Sequence, residues 1–233
     1  MERLIVLDTE TTGIKPSEGH RIIEVGAVEI LDREITNTEF HEYVQPNRKV
    51  GESVNIHGIT DKFLINKHQF NQISDDLLSF IEGATLVIHN APFDLGFLNN
   101  ELKIIGTKEK IENMCSIIDT LELSKKLRPG GIHTQDAIAR RYEIDVKARK
   151  IDSGYTQIKD KLKHRALGDA KILAEMYLAM TAGQFNLALD AEDTESNQSD
   201  PSLIKRLKKN RNKIKVIYAN KDELDTHENY FQN

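Results

Sequence analysis

The chain has 233 residues, 39% hydrophobic and 30% charged, which is enough for one sizeable domain with a tail and too few for two large domains. Its net charge of −5 argues against a free-standing protein that holds nucleic acid by surface charge alone, a class that is usually basic. No apolar run approaches bilayer length, the single Cys115 cannot close an internal disulfide, and the N-terminal residues lack the basic and long apolar regions of a signal peptide. A cytoplasmic protein is expected.

Taken in chain order, residues 3–8 read as a buried strand. Residues 21–31 and about 35–45 read as second and third strands, and the short links between them suggest a meander. A short helix is expected over 75–82 and a further buried strand over 85–89. Pro92 then opens a helix that carries Phe93, Phe97, Leu98 and Leu102 on one face. A strand-like run ends at 116–119, and helices are expected around 120–127 and 134–142. The clearest helix spans about 165–182, with Ala166, Leu167, Ala170, Leu173, Ala174, Tyr177 and Leu178 at the helical period. An antiparallel meander followed by alternating strands and helices implies an α/β fold, a mixed sheet with helices packed on it.

After Gly183 the character changes. Residues 190–201 are acidic and poor in apolar side chains, as a flexible linker would be. Residues 203–215 are strongly basic, carrying Lys205, Arg206, Lys208, Lys209, Arg211, Lys213 and Lys215. The expected organisation is a domain over 1–183, a linker over 184–201 and a C-terminal segment over 202–233.

Three segments carry the chemistry. Asp8-Thr9-Glu10 ends the first strand, where the period of two turns both carboxylates the same way. Thr11-Thr12-Gly13 then supplies a turn. Asp-x-Glu is common in a chain with 37 acidic residues, but placement at the end of an apolar strand is not. His89-Asn90-Ala91-Pro92-Phe93-Asp94 joins a buried strand to a helix, and Asp94 falls in the first helical turn, where a carboxylate also suits the helix dipole. His164-Arg165-Ala166-Leu167-Gly168-Asp169 opens the long helix. Four acids at strand and helix ends suit a hard divalent cation, since Mg²⁺ and Mn²⁺ prefer oxygen ligands and bind substrate phosphate.

In this order the three segments resemble the three motifs of the DEDD exonuclease superfamily, and His164-x-Ala166-x-x-Asp169 marks its histidine branch. Asn55-Ile56-His57-Gly58-Ile59-Thr60 resembles the loop that members place beside the substrate. Arg141-Tyr142-Glu143-Ile144-Asp145 and the run 174–184 are similar to the proofreading (epsilon) subunits of bacterial DNA polymerase III. The resemblance implies a ribonuclease-H-like fold with a mixed five-stranded sheet. It implies 3′→5′ hydrolysis of the terminal phosphodiester with two divalent cations, Mg²⁺ or Mn²⁺, releasing nucleoside 5′-monophosphates. Asp8 would bridge both ions, Glu10 and Asp169 would complete the ion that activates water, Asp94 would support the second, and His164 would take the proton from the water. Thr9, Glu10, Thr12, Gly13, His57, Asn90 and Phe93 would hold the terminal nucleotide.

The tail carries further likenesses. Gln184-x-x-Leu187-x-Leu189 resembles the peptide with which replication proteins dock on the sliding clamp. Lys215-Val216-Ile217-Tyr218-Ala219, Asp222-Glu223 and His227-Glu228 resemble the part of the epsilon subunit that binds the polymerase (alpha) subunit. Tethering of this kind raises local concentration and would suit an acidic nuclease that acts on DNA 3′ ends. The competing readings are a free-standing nuclease of the same branch, acting on RNA ends or in repair, and a catalytically silent tether.

Overall fold

The structure, a computed structural model, describes residues 2–146 and 166–189, the last seven of them by backbone alone. Five strands, β1 (Arg3–Thr11), β2 (Ile22–Leu31), β3 (Glu34–Tyr43), β4 (Thr85–Ile88) and β5 (Ser116–Asp119), form one sheet in the order β3-β2-β1-β4-β5. The first three are an antiparallel meander, and β4 and β5 join parallel to β1. The mixed five-stranded sheet expected from the sequence is therefore present, with β1 in the middle.

Alternation along β1 splits the core in two. Leu4 and Val6 face one side, where Val28, Ile30 and Val87 join them. Helix α8 (Ala166–Leu189) covers that side with Ala170, Leu173, Ala174 and Tyr177, and α7 (Gln135–Arg141) adds Ile138 and Ala139. Ile5 and Leu7 face the other side. There α3 (Phe70–Ile81) contributes Phe70, Ile73, Leu77 and Ile81, and α4 (Ala91–Ile104) contributes Phe97, Leu98 and Leu102. A fully buried leucine such as Leu173 is worth about 2–5 kcal/mol against alanine in such a core. The remaining helices are short: α1 (Val54–His57), α2 (Asp61–Leu64), α5 (Ile111–Met114) and α6 (Thr120–Leu127).

Three differences from the sequence reading have local causes. Helix α3 begins at Phe70, earlier than the expected 75, because Gln69 and Gln72 close a reciprocal capping box. Helix α8 runs past Gly183 to Leu189, so Gln184, Leu187 and Leu189 stand on its final turns. A mid-helix glycine lowers helix stability by about 1 kcal/mol and does not by itself stop a helix whose earlier turns are buried. Helices α1, α2 and α5 were not expected at all, since four-residue helices are too short to show a period. No helix among the described residues is long and apolar enough to cross a membrane.

Candidate metal centre and active site

Asp8 and Glu10 stand on the α8 face of β1, in line with Leu4 and Val6. The cross-strand neighbour of Asp8 is Gly26. A Cβ there would lie 2.1 Å from the Leu167 backbone nitrogen and 2.4 Å from the Ala166 carbonyl carbon. The bare backbone of Gly26 thus lets the first turn of α8 rest on the sheet beside Asp8. One turn on, Asp169 is buried at 2% exposure. Gln135 of α7 donates from Nε2 to the Asp169 carbonyl at 2.9 Å and ties the two helices together there. As a result Asp8, Glu10 and Asp169 each offer a carboxylate oxygen within 4.8 Å of one another.

Asp94 stands on α4, outside that group of three but near enough for its charge to act on Asp8. Its Oδ1 accepts from the Thr9 backbone N–H at 3.0 Å and from the Thr9 hydroxyl at 2.6 Å. Thr9 alternates with Asp8 and Glu10, so one tripeptide presents two carboxylates to one face and grips a third acid on the other. The start of α4 is fixed by Asp119 at the end of β5. Its Oδ1 accepts from the Asn90 N–H at 3.0 Å and from the Leu121 N–H at 2.8 Å, and its Oδ2 accepts from the Ala91 N–H at 3.1 Å. Asp119 thereby holds the first turns of both α4 and α6. Asn90 takes a left-handed conformation with φ 66°, which asparagine tolerates better than most residues.

The cluster is electrostatically strained without a counter-ion. Burial, followed by the charges of Asp94, Asp169, Glu10 and Glu24, holds the Asp8 carboxyl well above the usual aspartate range. Burial pushes Asp94 up to about 7, against the pull of its two Thr9 hydrogen bonds. Among the described residues the three carboxylates make an all-oxygen donor set, which fits a hard divalent cation.

The other expected residues divide. Thr12 is buried, and its hydroxyl accepts from the Arg21 N–H at 3.0 Å and contacts His20 Nδ1 at 3.1 Å. The His20 ring packs over Gly13, where a Cβ would lie 2.2 Å from it. His57 is buried, with Nδ1 accepting from the Ile59 N–H at 3.0 Å. Phe93 lies against Phe97, ring centroids 5.1 Å apart and tilted by 52°, and packs on the core, which gives it a structural role whatever else it touches. His164 lies outside the described residues, as do residues 190–233, which hold the rest of the expected linker (184–201) beyond α8 and the C-terminal segment.

Sequence reasoning missed Gly26, Asp119, Gln135, Glu24 and His41. One signal was available. Glu24 is the one charged residue in the run Ile22-Ile23-Glu24-Val25-Gly26-Ala27, where a buried acid needs a reason.

Comparison with known proteins gives the family and the fold. The exonuclease family model (RNase_T) matches residues 5–177. DNA polymerase III subunit epsilon of Buchnera aphidicola subsp. Acyrthosiphon pisum is 42% identical over 236 residues, covering 99% of this chain and 94% of that protein. The subunit of the same name from Escherichia coli K12 is 40% identical over 232 residues, covering 97% and 90%. Among solved structures, exonuclease X in complex with 5′-overhanging duplex DNA shares the fold with a TM-score of 0.57 and 23% identity, over 78% of this chain and 93% of that one. The nuclease domain of 3′hExo, a DEDDh family member bound to rAMP, does so with a TM-score of 0.61 and 16% identity, over 85% and 98%. The ribonuclease-H-like expectation is met, and the chain belongs to the exonuclease family and, within it, to the epsilon subunits of DNA polymerase III.

Proposed function

We propose that the chain is the proofreading 3′→5′ exonuclease of a replicative DNA polymerase, hydrolysing the 3′-terminal phosphodiester and releasing nucleoside 5′-monophosphates. The observation that carries this is the convergence of Asp8, Glu10 and Asp169 within 4.8 Å at the end of the central strand. The roughly 40% identity to epsilon subunits over nearly the whole chain supports the polymerase context.

Two divalent cations, Mg²⁺ or Mn²⁺, would supply Lewis-acid stabilisation of the attacking and leaving oxygens. Asp8 would help to hold both. Glu10 and Asp169 would hold the one beside the attacking water, and Asp94, steadied by Thr9, would hold the other. His164 would take the proton of the attacking water at a ring nitrogen, a contribution of about 10²–10⁴-fold. Thr9, Glu10, Thr12, Gly13, His57, Asn90 and Phe93 would line the terminal nucleotide. The polymerase subunit would be held by residues 202–233 and the sliding clamp by Gln184, Leu187 and Leu189, in the cytoplasm.

Digestion of a 5′-labelled single-stranded DNA oligonucleotide tests the reading. A cation-dependent ladder that shortens from the 3′ end, is lost in Asp8→Ala and is much slowed in His164→Ala supports it. The absence of any ladder with Mg²⁺ or Mn²⁺ would leave polymerase tethering as the better account.

A further inference from the structure

Glu24 is fully buried, yet only one of its oxygens has a partner. His41 Nε2 lies 2.8 Å from Oε1, within hydrogen-bond distance. Oε2 has no hydrogen-bond partner. A buried carboxylate oxygen without a donor is costly and calls for an explanation.

The register supplies one. Glu24 is the cross-strand neighbour of Glu10, and Gly26 is the neighbour of both Asp8 and His41. Cross-strand partners share a face, so Glu24 and His41 lie on the α8 side with Asp8 and Glu10. Acids directly opposite one another destabilise a sheet unless a positive charge lies nearby. The contact with His41, whose side chain is 29% exposed, accounts for Oε1 and leaves Oε2 unexplained.

We infer that Glu24, held by His41, is an outer-sphere member of the cation centre, its second oxygen accepting from water carried by the cation that Asp8, Glu10 and Asp169 hold. Mg²⁺ dehydrates reluctantly and keeps several waters, so a site with few protein ligands needs acceptors just beyond them. The inference rests on the metal-dependent nuclease reading. It makes His41 a positioning residue acting through Glu24, with no contact to substrate.

The test is Mn²⁺ titration of the full chain by calorimetry, with melting temperature measured separately in chelator. Glu24→Gln keeps the shape and a partner for His41 but removes the charge. Its Mn²⁺ affinity is expected to fall roughly 10–100-fold, as outer-sphere losses typically do. Its cation-free form should melt no lower than wild type, because a buried repulsion has gone. Unchanged Mn²⁺ affinity together with a lower melting temperature would overturn the inference and leave Glu24 as a structural partner of His41. If Glu24→Gln does not fold, His41→Ala is read in the same titration: weaker Mn²⁺ binding supports the inference, and unchanged binding overturns it. A wild-type chain that binds no cation overturns it together with the metal reading. A wild-type chain that binds, beside a Glu24→Gln chain that binds as well, overturns this inference alone.

Discussion

Gly26 and Leu167 meet where no side chain fits: a Cβ on Gly26 would lie 2.1 Å from the Leu167 backbone nitrogen. The contact sets the height of α8 above the sheet at Asp8, and so the reach of Asp169. Gly26→Ala forces backbone apart, since the obstructing atoms belong to the main chain. Overpacking of this kind is expected to destabilise by about 1–3 kcal/mol. The rate should fall by about 10²-fold or more, the usual result of an ångström-scale misplacement of catalytic groups. Melting temperature and single-turnover nucleotide release check both. A Gly26→Ala protein with wild-type turnover would mean that the α8 contact does not position Asp169.

Asp8→Asn removes the acid on which the charges of Asp94, Asp169, Glu10 and Glu24 converge. In chelator this variant is expected to melt higher than wild type, by about 2–4 °C for each kcal/mol of relieved repulsion. Its nuclease activity should fall by more than the roughly 10–100-fold typical of an outer-sphere change. Paired thermal melts and oligonucleotide digestion read the opposite signs. A lower melting temperature in chelator would contradict the account of the strained cluster.

The same strain gives a pH dependence. Burial holds the Asp94 carboxyl at about 7, against 3.8 for an ordinary aspartate, and moves Asp8 in the same direction. Between those values the folded chain binds more protons than the unfolded one. The stability contributed by these groups is therefore fully present below the unfolded value and is lost as pH rises through the folded value. Glu29, pulled down by its hydrogen bond to Arg3, acts oppositely in more acid solution, and the His89 imidazole, pushed down by burial, offsets part of the fall below its unfolded value of 6.5. Denaturant melts in chelator should show stability falling between about pH 5 and 7, and saturating Mg²⁺ should flatten that fall. A cation-free stability that rises across this window would contradict the assignment.

Arg21 and Glu101 tie the start of β2 to α4. Arg21 Nε donates to Glu101 Oε1 at 2.7 Å and a terminal guanidinium nitrogen donates to Oε2 at 2.6 Å, with Glu101 1% exposed. Arg21→Ala leaves a buried carboxylate that still accepts from the Ile22 N–H at 3.2 Å. The expected loss is about 3–5 kcal/mol. Arg21→Ala/Glu101→Leu, which removes both charges, should recover much of it. Urea melts of the single and double variants decide this, and equal losses in both would contradict it.

Much of the fold was legible because its signals are local. The apolar run before Asp8, the strand over Ser116–Asp119 and the face of α8 all follow from period and burial. The three acidic motifs were legible for the same reason, each sitting at a junction of regular elements. Their convergence was not, because it depends on contacts distant in sequence: Gly26 under Leu167, Gln135 on the Asp169 carbonyl, and Asp119 on Asn90 and Ala91. No periodicity marks an aspartate that caps two helices at once. The strand order, with β1 between β2 and β4, was not legible in period or burial, because pairing between strands leaves no mark on either strand alone.

The central claim is that Asp8, Glu10 and Asp169 form the cation site of a nuclease. The most direct test is Mn²⁺ titration of chelated wild-type, Asp8→Asn and Asp169→Asn proteins, with melting temperature and 3′-nucleotide release followed in the same samples. The account predicts that both signals rise in wild type with a common midpoint and that neither rises in the variants over that range. Nucleotide release that needs no cation, or a cation-dependent rise that survives Asp8→Asn unchanged, would contradict it.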